Sequence, residues 1–310
     1  MWGFAGRLVC CNGKSTYEPE GWETEIEKGL KHNPRLDATF VRGLLETDGD
    51  EDDANGMTSE SKDTNVVTNS SVLAVPLPLY GYPQRPLLRE IARRLMLCSR
   101  HLEHVQQRQT FGRQSSVGGS RLLLPASFFG FAEDYTMRLS DCPRSRQDVR
   151  QWTLERTERE LSYVLGLRIT TGTDNRNLLL PSRGQLMKAA NRPYSLSDPL
   201  LSVAARALAK HAHRSNDGFF ETGNGNSSAK TVAATTVLQK LLEDASWINI
   251  HTFGGMEGTP VLEVRIGSGH GARWTGVWEV PEANRLPTKV TFRGFLEPQM
   301  DDGHDKKWRH

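Results

Sequence analysis

The spacing of apolar residues changes near Asp244, and this change constrains the fold more than any other feature of the chain. Before it, apolar side chains recur at every third or fourth position, which is the period of an α-helix. After it, they alternate with polar residues, which is the period of a half-buried β-strand. A chain of 310 residues with this order of elements predicts an α+β fold.

Four segments near the C-terminus have the strand pattern: 247–253, 261–266, 272–280 and 290–297. Glycine-containing links separate the first three, with Gly254, Gly255 and Gly258 in one link and Gly267, Gly269 and Gly271 in the next. Links of this kind are typical of hairpins. We therefore predict a four-stranded antiparallel β-meander over residues 247–297, packed on a helical region through one face.

The second of these strands runs into spaced glycines. Residues 261–269, with the sequence VLEVRIGSG, resemble the glycine-rich first motif of class I methyltransferases, which would imply a nucleotide cofactor near the glycines. Arg265 stands where that motif has its first glycine, and a strand pattern follows where a helix is required. The pattern favours a glycine-rich hairpin, and we predict no cofactor.

The helical region spans residues 86–245. Its clearest helix is 86–108, where Pro86 suits the first turn and the apolar residues lie on one face. Further helices are predicted over 146–165, from Asp198 to about Lys210, and from a cap at Ser228 onward. Residues 121–139 are apolar enough to enter the core, but their secondary structure is not defined by the pattern.

An acidic segment separates this region from the N-terminus. Residues 46–63 hold eight acidic residues against one base, Lys62, and residues 46–70 contain almost no large apolar side chain. Such a segment cannot bury enough surface to offset the entropy of ordering, so we expect a disordered linker. The predicted organisation is an N-terminal helical segment (1–45), the linker (46–70) and a globular α+β domain (71–310).

Arginine is concentrated in the middle of the chain. Residues 85–183 contain seventeen arginines, ten acidic residues and no lysine. Arginines and acids alternate along the predicted helices, which is typical of ion-paired helix surfaces. We therefore do not expect nucleic acid as a partner, although binding through the arginine-rich helices stays an alternative.

Candidate site residues come from pairing the first two strands. If Ile250 lies opposite Val264, then His251 faces Glu263 and Asn249 faces Arg265, all away from the apolar face. A histidine beside a carboxylate can act as a general base, so His251 and Glu263 are the catalytic candidates. Asn249, Arg265 and Arg293 are the candidates for binding a phosphate or carboxylate, and Arg273 joins them if the register allows. The alternative is a solvated outer face of the sheet.

The remaining features suggest an ordinary intracellular chain. The four cysteines have no CxxC spacing, which favours a reducing, cytoplasmic setting, and whether Cys10 and Cys11 are modified is left open. No segment has the ~18 apolar residues of a membrane span. His211 and His213 lie on different sides of a helix, so we predict no metal site.

The prediction for function is a non-catalytic protein-interaction or adaptor role with a protein partner. An enzyme or sensor of an anionic small molecule, acting on the polar sheet face, is the second hypothesis. Nucleic-acid binding is the third.

Overall fold

The computed structural model describes residues 23–47, 81–112, 145–174, 176–211, 218–252, 258–278 and 285–298. Within these ranges, helices precede strands. The helices are α1 (Glu23–Lys31), α2 (Ala38–Leu45), α3 (Leu87–Gly112), α4 (Arg146–Leu154), α5 (Glu158–Val164), α6 (Arg183–Asn191), α7 (Val203–His211) and α8 (Ser227–Glu243). The strands are β1 (Ala245–Thr252), β2 (Pro260–Ile266), β3 (Gly271–Val277) and β4 (Lys289–Leu296).

The four strands form one antiparallel sheet in the order β1-β2-β3-β4, so the predicted α+β fold with a C-terminal meander is confirmed. Directly paired residues share a face of the sheet. Leu262 pairs with Ile250 on one side and Trp274 on the other, and Trp274 pairs in turn with Phe292. These residues form the apolar face of the sheet, and all four are buried.

Helices α6, α7 and α8 cover this apolar face. Leu186, Leu208 and Leu238 pack with the apolar strand residues in one buried cluster. The indole of Trp274 is fully buried and donates through Nε1 to the Leu186 carbonyl at 3.1 Å. Burying a large apolar side chain contributes about 1.5–3 kcal/mol, so this layer holds the sheet in place and leaves its opposite face for polar groups.

A second apolar cluster lies among α1 to α5. Ile26 and Phe40 from the N-terminal helices pack with Ile91 and Val149. A buried ion pair accompanies this cluster, in which Arg94 donates to Glu90 at 2.6 Å. Residues on both sides of the predicted acidic linker therefore share one core.

The predicted helix over 146–165 is interrupted, and two helices, α4 and α5, stand in its place. The hydroxyl of Thr157 accepts from the Glu160 amide, and the Glu160 carboxylate accepts from the Thr157 amide. This capping box starts a new helix, because it satisfies backbone amides that no helical carbonyl reaches. The T-x-x-E spacing of Thr157 and Glu160 is visible in the sequence. Here this capping signal starts a new helix even though the apolar residues continue at helical spacing.

Two helices begin at residues other than the predicted ones. Helix α7 begins at Val203 rather than near Asp198, because the Ser202 hydroxyl accepts from the Ala205 amide. Helix α8 is capped by Asn226, whose side chain accepts from the Ala229 amide, rather than by Ser228. Helix α6 was not predicted, although its Ser182 and Gln185 also form a capping box.

Several predictions fall outside the described residues: the linker from residue 48 onward, the segment 121–139, Cys10, Cys11, Cys142 and His213. None of the helices in the part of the chain that the structure describes is long and apolar enough to cross a membrane.

Candidate functional site

The face of the sheet opposite α6–α8 carries a cluster of polar side chains. We use the term polar face for Asn249, His251, Glu263, Arg265 and Arg273. The observed register pairs Asn249 with Glu263, and Glu263 with Arg273 on the next strand. All five therefore point to the same side of the sheet.

The register differs by two residues from the predicted one. His251 lies opposite Val261 rather than Glu263, and Arg265 lies opposite Trp247 rather than Asn249. Because side chains alternate with a period of two, a shift of two residues keeps every side chain on its predicted face. The predicted pairs were wrong, and the predicted grouping of His251, Glu263, Asn249 and Arg265 on one face is observed.

Glu263 is the centre of the polar face. Its carboxylate accepts from Arg265 Nε at 2.5 Å and from Arg273 Nε at 2.7 Å, and only 2 % of the residue is exposed. Burial by itself raises the pKa of this carboxyl group, but the charges and hydrogen bonds of Arg265 and Arg273 outweigh it and hold the pKa below its ordinary value. Glu263 is therefore ionised at neutral pH and fixes two guanidinium groups side by side.

Arg265 is held from three directions. Besides Glu263, it donates through Nη1 to the carbonyl oxygens of Gly269, at 2.5 Å, and Glu297, at 3.0 Å. Its stem crosses Gly271, where an added Cβ would lie 2.8 Å from Arg265 Cγ and 2.3 Å from the Val264 carbonyl oxygen. Glycine at position 271 thus gives Arg265 the room to lie along the sheet.

His251 is buried next to these charges. Its ring stacks on Trp247 with a centroid separation of 5.4 Å and an interplanar angle of 26°. Burial lowers the pKa of His251; Glu263 opposes this effect, and the nearby Arg273 and Arg265 add to it. The imidazole is therefore neutral at pH 7 and able to accept a proton.

Asn249 connects the polar face to a segment that runs along the edge of β1. Its amide nitrogen donates to Thr170 Oγ1 at 2.8 Å and to Thr173 Oγ1 at 2.9 Å. Backbone hydrogen bonds from Arg168 to Ile248 and from Asp174 to Ile250 join the same segment to the strand. Asn249 is completely buried, so its role here is to position the edge segment.

The arginine predicted from β4 lies elsewhere. Arg273 pairs with Gly294 and Trp274 pairs with Phe292, so Arg293 is the extra residue of a β-bulge and is exposed. The second guanidinium on Glu263 comes from Arg273, whose side chain is 23 % exposed and gives the polar face its contact with solvent. A ligand-binding role for Arg293 stays a prediction.

His211, at the end of α7, is 3.1 Å from the Glu297 carboxylate and packs against Phe220 and Phe295. Within the described ranges, no three histidine, cysteine or acidic side chains converge as metal ligands would.

The polar face can therefore do two things. A neutral imidazole can accept a proton, and the partly exposed guanidinium group of Arg273, with the buried charge of Arg265 beside it, can attract an anion such as a phosphate group and stabilise charge that develops on it. Arginine suits this second task because its planar fork matches the oxygens of a phosphate group.

One comparison with known proteins gives a match. The model of a family described as the CdiA C-terminal tRNase toxin domain matches residues 188–279 of this chain, less than a third of its length. No curated protein and no solved structure matches the chain.

The matched segment contains the end of α6, all of α7, α8 and β1–β3, and every residue of the polar face, whereas Arg293 lies beyond it. This similarity to a catalytic domain contradicts our prediction of a non-catalytic interaction or adaptor protein. It also counts against our expectation that nucleic acid is not a partner, which rested on the ion pairing of the arginine-rich helices.

Proposed function

We propose that the protein is a ribonuclease that cleaves tRNA at the polar face of its sheet. One observation carries this proposal. The segment that matches the tRNase toxin family contains a neutral, buried histidine beside two guanidinium groups fixed by one carboxylate. Cleavage of a phosphodiester bond in RNA requires a group that accepts a proton and positive charge that stabilises the phosphate, and His251 and the two arginines can supply these.

The reaction uses the ribose 2′-hydroxyl as the nucleophile. His251 accepts the hydroxyl proton while the 2′-oxygen forms a bond to the adjacent phosphorus. The bond from phosphorus to the 5′-oxygen breaks, and that oxygen takes a proton from water or from the imidazolium formed in the first step. The products are a 2′,3′-cyclic phosphate and a 5′-hydroxyl end, so atoms and charges balance without a further reactant.

Arg273 and Arg265 have the electrostatic role in this mechanism. As the 2′-oxygen attacks, negative charge grows on the phosphate oxygens, and fixed guanidinium groups stabilise it without having to reorganise. Glu263 does not donate the proton, because its pKa is lowered and it is ionised. It acts as a positioning residue that holds both arginines.

A cleavage assay tests the proposal. The purified full chain is incubated with total tRNA, and the fragments are separated and their ends identified. We expect discrete fragments with 2′,3′-cyclic phosphate ends, and a rate about 10²–10⁴-fold lower for His251→Ala, the usual effect of losing a general base.

The matched control is His32→Ala, since His32 is an exposed histidine at the end of α1, far from the sheet in the sequence and outside the matched segment. This variant should cleave at the wild-type rate. Folded wild-type protein that leaves every tRNA intact, or a His251→Ala variant as active as the wild type, would overturn the proposal.

A further inference from the structure

A cavity of about 180 Å³ lies beside the edge strand β1. We call it the edge cavity. Its lining comes from α5, from the segment that follows this helix and from β1, and includes Tyr163, Thr170, Thr173, Asn177 and Ile250. Pockets for drug-sized ligands measure roughly 300–1,000 Å³. The edge cavity is smaller, yet it has room for about six waters at ~30 Å³ each, which suits one ring-sized group.

Its walls combine apolar surface with polar groups at defined positions. Leu167, Leu178 and Ile250 are apolar residues of its lining, and the buried Tyr163 is an aromatic one. The guanidinium carbon of Arg159 lies 5.8 Å from the centroid of that ring, and Arg159 Nε donates to the Tyr163 hydroxyl at 3.0 Å. Arginine planes and aromatic rings are the surfaces on which unstacked nucleobases are held by proteins that recognise RNA.

Hydrogen-bonding groups surround the same space. Thr170 and Thr173, whose hydroxyl groups are hydrogen-bonded to Asn249, line it, and so does Asn177, whose amide donates to Glu158 at 3.3 Å. Asn177 has a left-handed backbone, with φ of 53°, which asparagine tolerates better than most residues. Hydroxyl and amide groups can each donate and accept, as the edges of nucleobases require.

The edge cavity adjoins the polar face through Thr173. This residue lines the cavity, its hydroxyl is hydrogen-bonded to the Asn249 amide, and its backbone forms a β-bridge with His251. Thr173 is therefore a direct neighbour both of the edge cavity and of His251.

We propose that the edge cavity binds one unstacked nucleobase of the RNA substrate, next to the phosphate that is cleaved. This inference rests on the proposed function and adds the element that selects the cleavage position. Of the lining residues, only Ile250 lies within 188–279, and the others belong to residues 159–178. The segment that matches the toxin family therefore supplies the chemistry, and a part of the chain outside that match supplies base recognition.

Ser162 offers a matched pair of variants. It lines the cavity from α5 and donates to the carbonyl of Glu158 in its own helix, so it belongs neither to the polar face nor to the hydrogen bonds of Asn249. Ser162→Phe fills the cavity with a ring, whereas Ser162→Ala removes only the hydroxyl group.

The test compares RNA substrates that carry a single abasic nucleotide at each position around the cleaved bond. For the wild type and Ser162→Ala, we expect kcat/KM to fall about 10-fold or more at one position, as for the loss of one stacked base. For Ser162→Phe, intact RNA should be cleaved about 10-fold more slowly, and the abasic substitution should make no further difference. Equal cleavage of intact and abasic RNA by the wild type, or a Ser162→Phe variant that keeps the base dependence, would overturn the inference.

A binding measurement separates this inference from the proposed function. Nucleoside monophosphates are titrated against each protein at millimolar concentration by ligand-observed NMR. We expect a signal with the wild type and Ser162→Ala that is lost in Ser162→Phe. Binding without any RNA cleavage would sink the ribonuclease proposal and leave the cavity assignment standing. RNA cleavage without nucleotide binding at the cavity would sink the cavity assignment and leave the ribonuclease proposal standing.

Discussion

Asn249 and Glu263 lie directly opposite each other on β1 and β2, and both are buried, yet their hydrogen bonds run in opposite directions. Asn249 bonds to the threonines of the edge segment, and Glu263 bonds to the arginines of β2 and β3. The pair thus divides the polar face into a side that positions the edge segment and a side that holds the two guanidinium groups.

Replacing Asn249 by leucine should destabilise the protein by about 1–3 kcal/mol, because the hydroxyl groups of Thr170 and Thr173 lose a buried partner. Urea unfolding measures the loss, and hydrogen exchange of residues 170–174 shows whether the edge segment opens. Thr236→Val is the control, since Thr236 is exposed and bonds only to its own helix at Val232. Equal unfolding free energies for the two variants would contradict the role assigned to Asn249.

Replacing Glu263 by glutamine should cost about 3–5 kcal/mol of stability, since it leaves buried guanidinium charge without its partner. Combining it with Arg273→Gln should recover part of the loss, because that variant removes one of the orphaned charges. A double-mutant cycle by urea unfolding measures the coupling, for which we expect about 0.5–3 kcal/mol. Additive effects would show that Glu263 and Arg273 do not depend on each other.

Gly271→Ala should destabilise the protein and displace Arg265, because the new Cβ would lie 2.3 Å from a backbone oxygen that cannot move aside without breaking the ladder. We expect a fall in melting temperature together with a loss of RNA cleavage. Gly267→Ala is the matched control from the link that precedes β3, where a Cβ would have no neighbour within 4 Å. If Gly271→Ala melts at the same temperature as Gly267→Ala, the close approach of Arg265 to residue 271 is wrong.

Stability should depend on pH through His251. In the unfolded chain the imidazole binds its proton near its ordinary pKa of 6.5, whereas in the folded protein the pKa is lower. Between these two values the unfolded state binds more protons, so stability rises with pH. The free energy of unfolding is therefore highest, as far as His251 is concerned, above pH 6.5. It decreases as the pH falls from 6.5 towards the pKa of His251 in the folded protein.

Urea unfolding between about pH 7.5 and about pH 5 measures this effect above the ordinary pKa of Glu263, which is 4.5. His251→Ala should flatten the slope, and His32→Ala should leave it unchanged. A wild-type stability that increases towards pH 5 would show that the sign assigned to the His251 shift is wrong.

The sheet and its polar face could be predicted from the sequence because both depend on a period of two. Alternation around Ile248, Ile250, Leu262 and Val264 defines which side chains point away from the helices, and an error of two residues in register leaves that assignment intact. The same period cannot fix which residues pair, because that depends on the length of the link after β1.

Other parts of the site had no periodic signal. The edge segment around Thr170 and Thr173 is joined to β1 by single hydrogen bonds that recur at no regular spacing. Arg273 joins the polar face, as the sequence allowed, because it pairs with Glu263, whereas Arg293 is displaced by a bulge in β4 that shifts the pairing by one residue. The prediction of an adaptor without nucleic acid as a partner relied on the ion-paired arginines of the helices, which say nothing about the pair held by Glu263 on the sheet.

The contacts of the polar face and of the edge cavity span very different lengths of chain. Glu263 bonds to arginines two and ten residues away, whereas Asn249 reaches threonines 76 and 79 residues away. Closing a longer loop costs more entropy, and distant contacts form later in folding. We therefore expect a refolding chain to form the ion pairs of Glu263 before the hydrogen bonds of Asn249, so that the two halves of the polar face become ordered at different times.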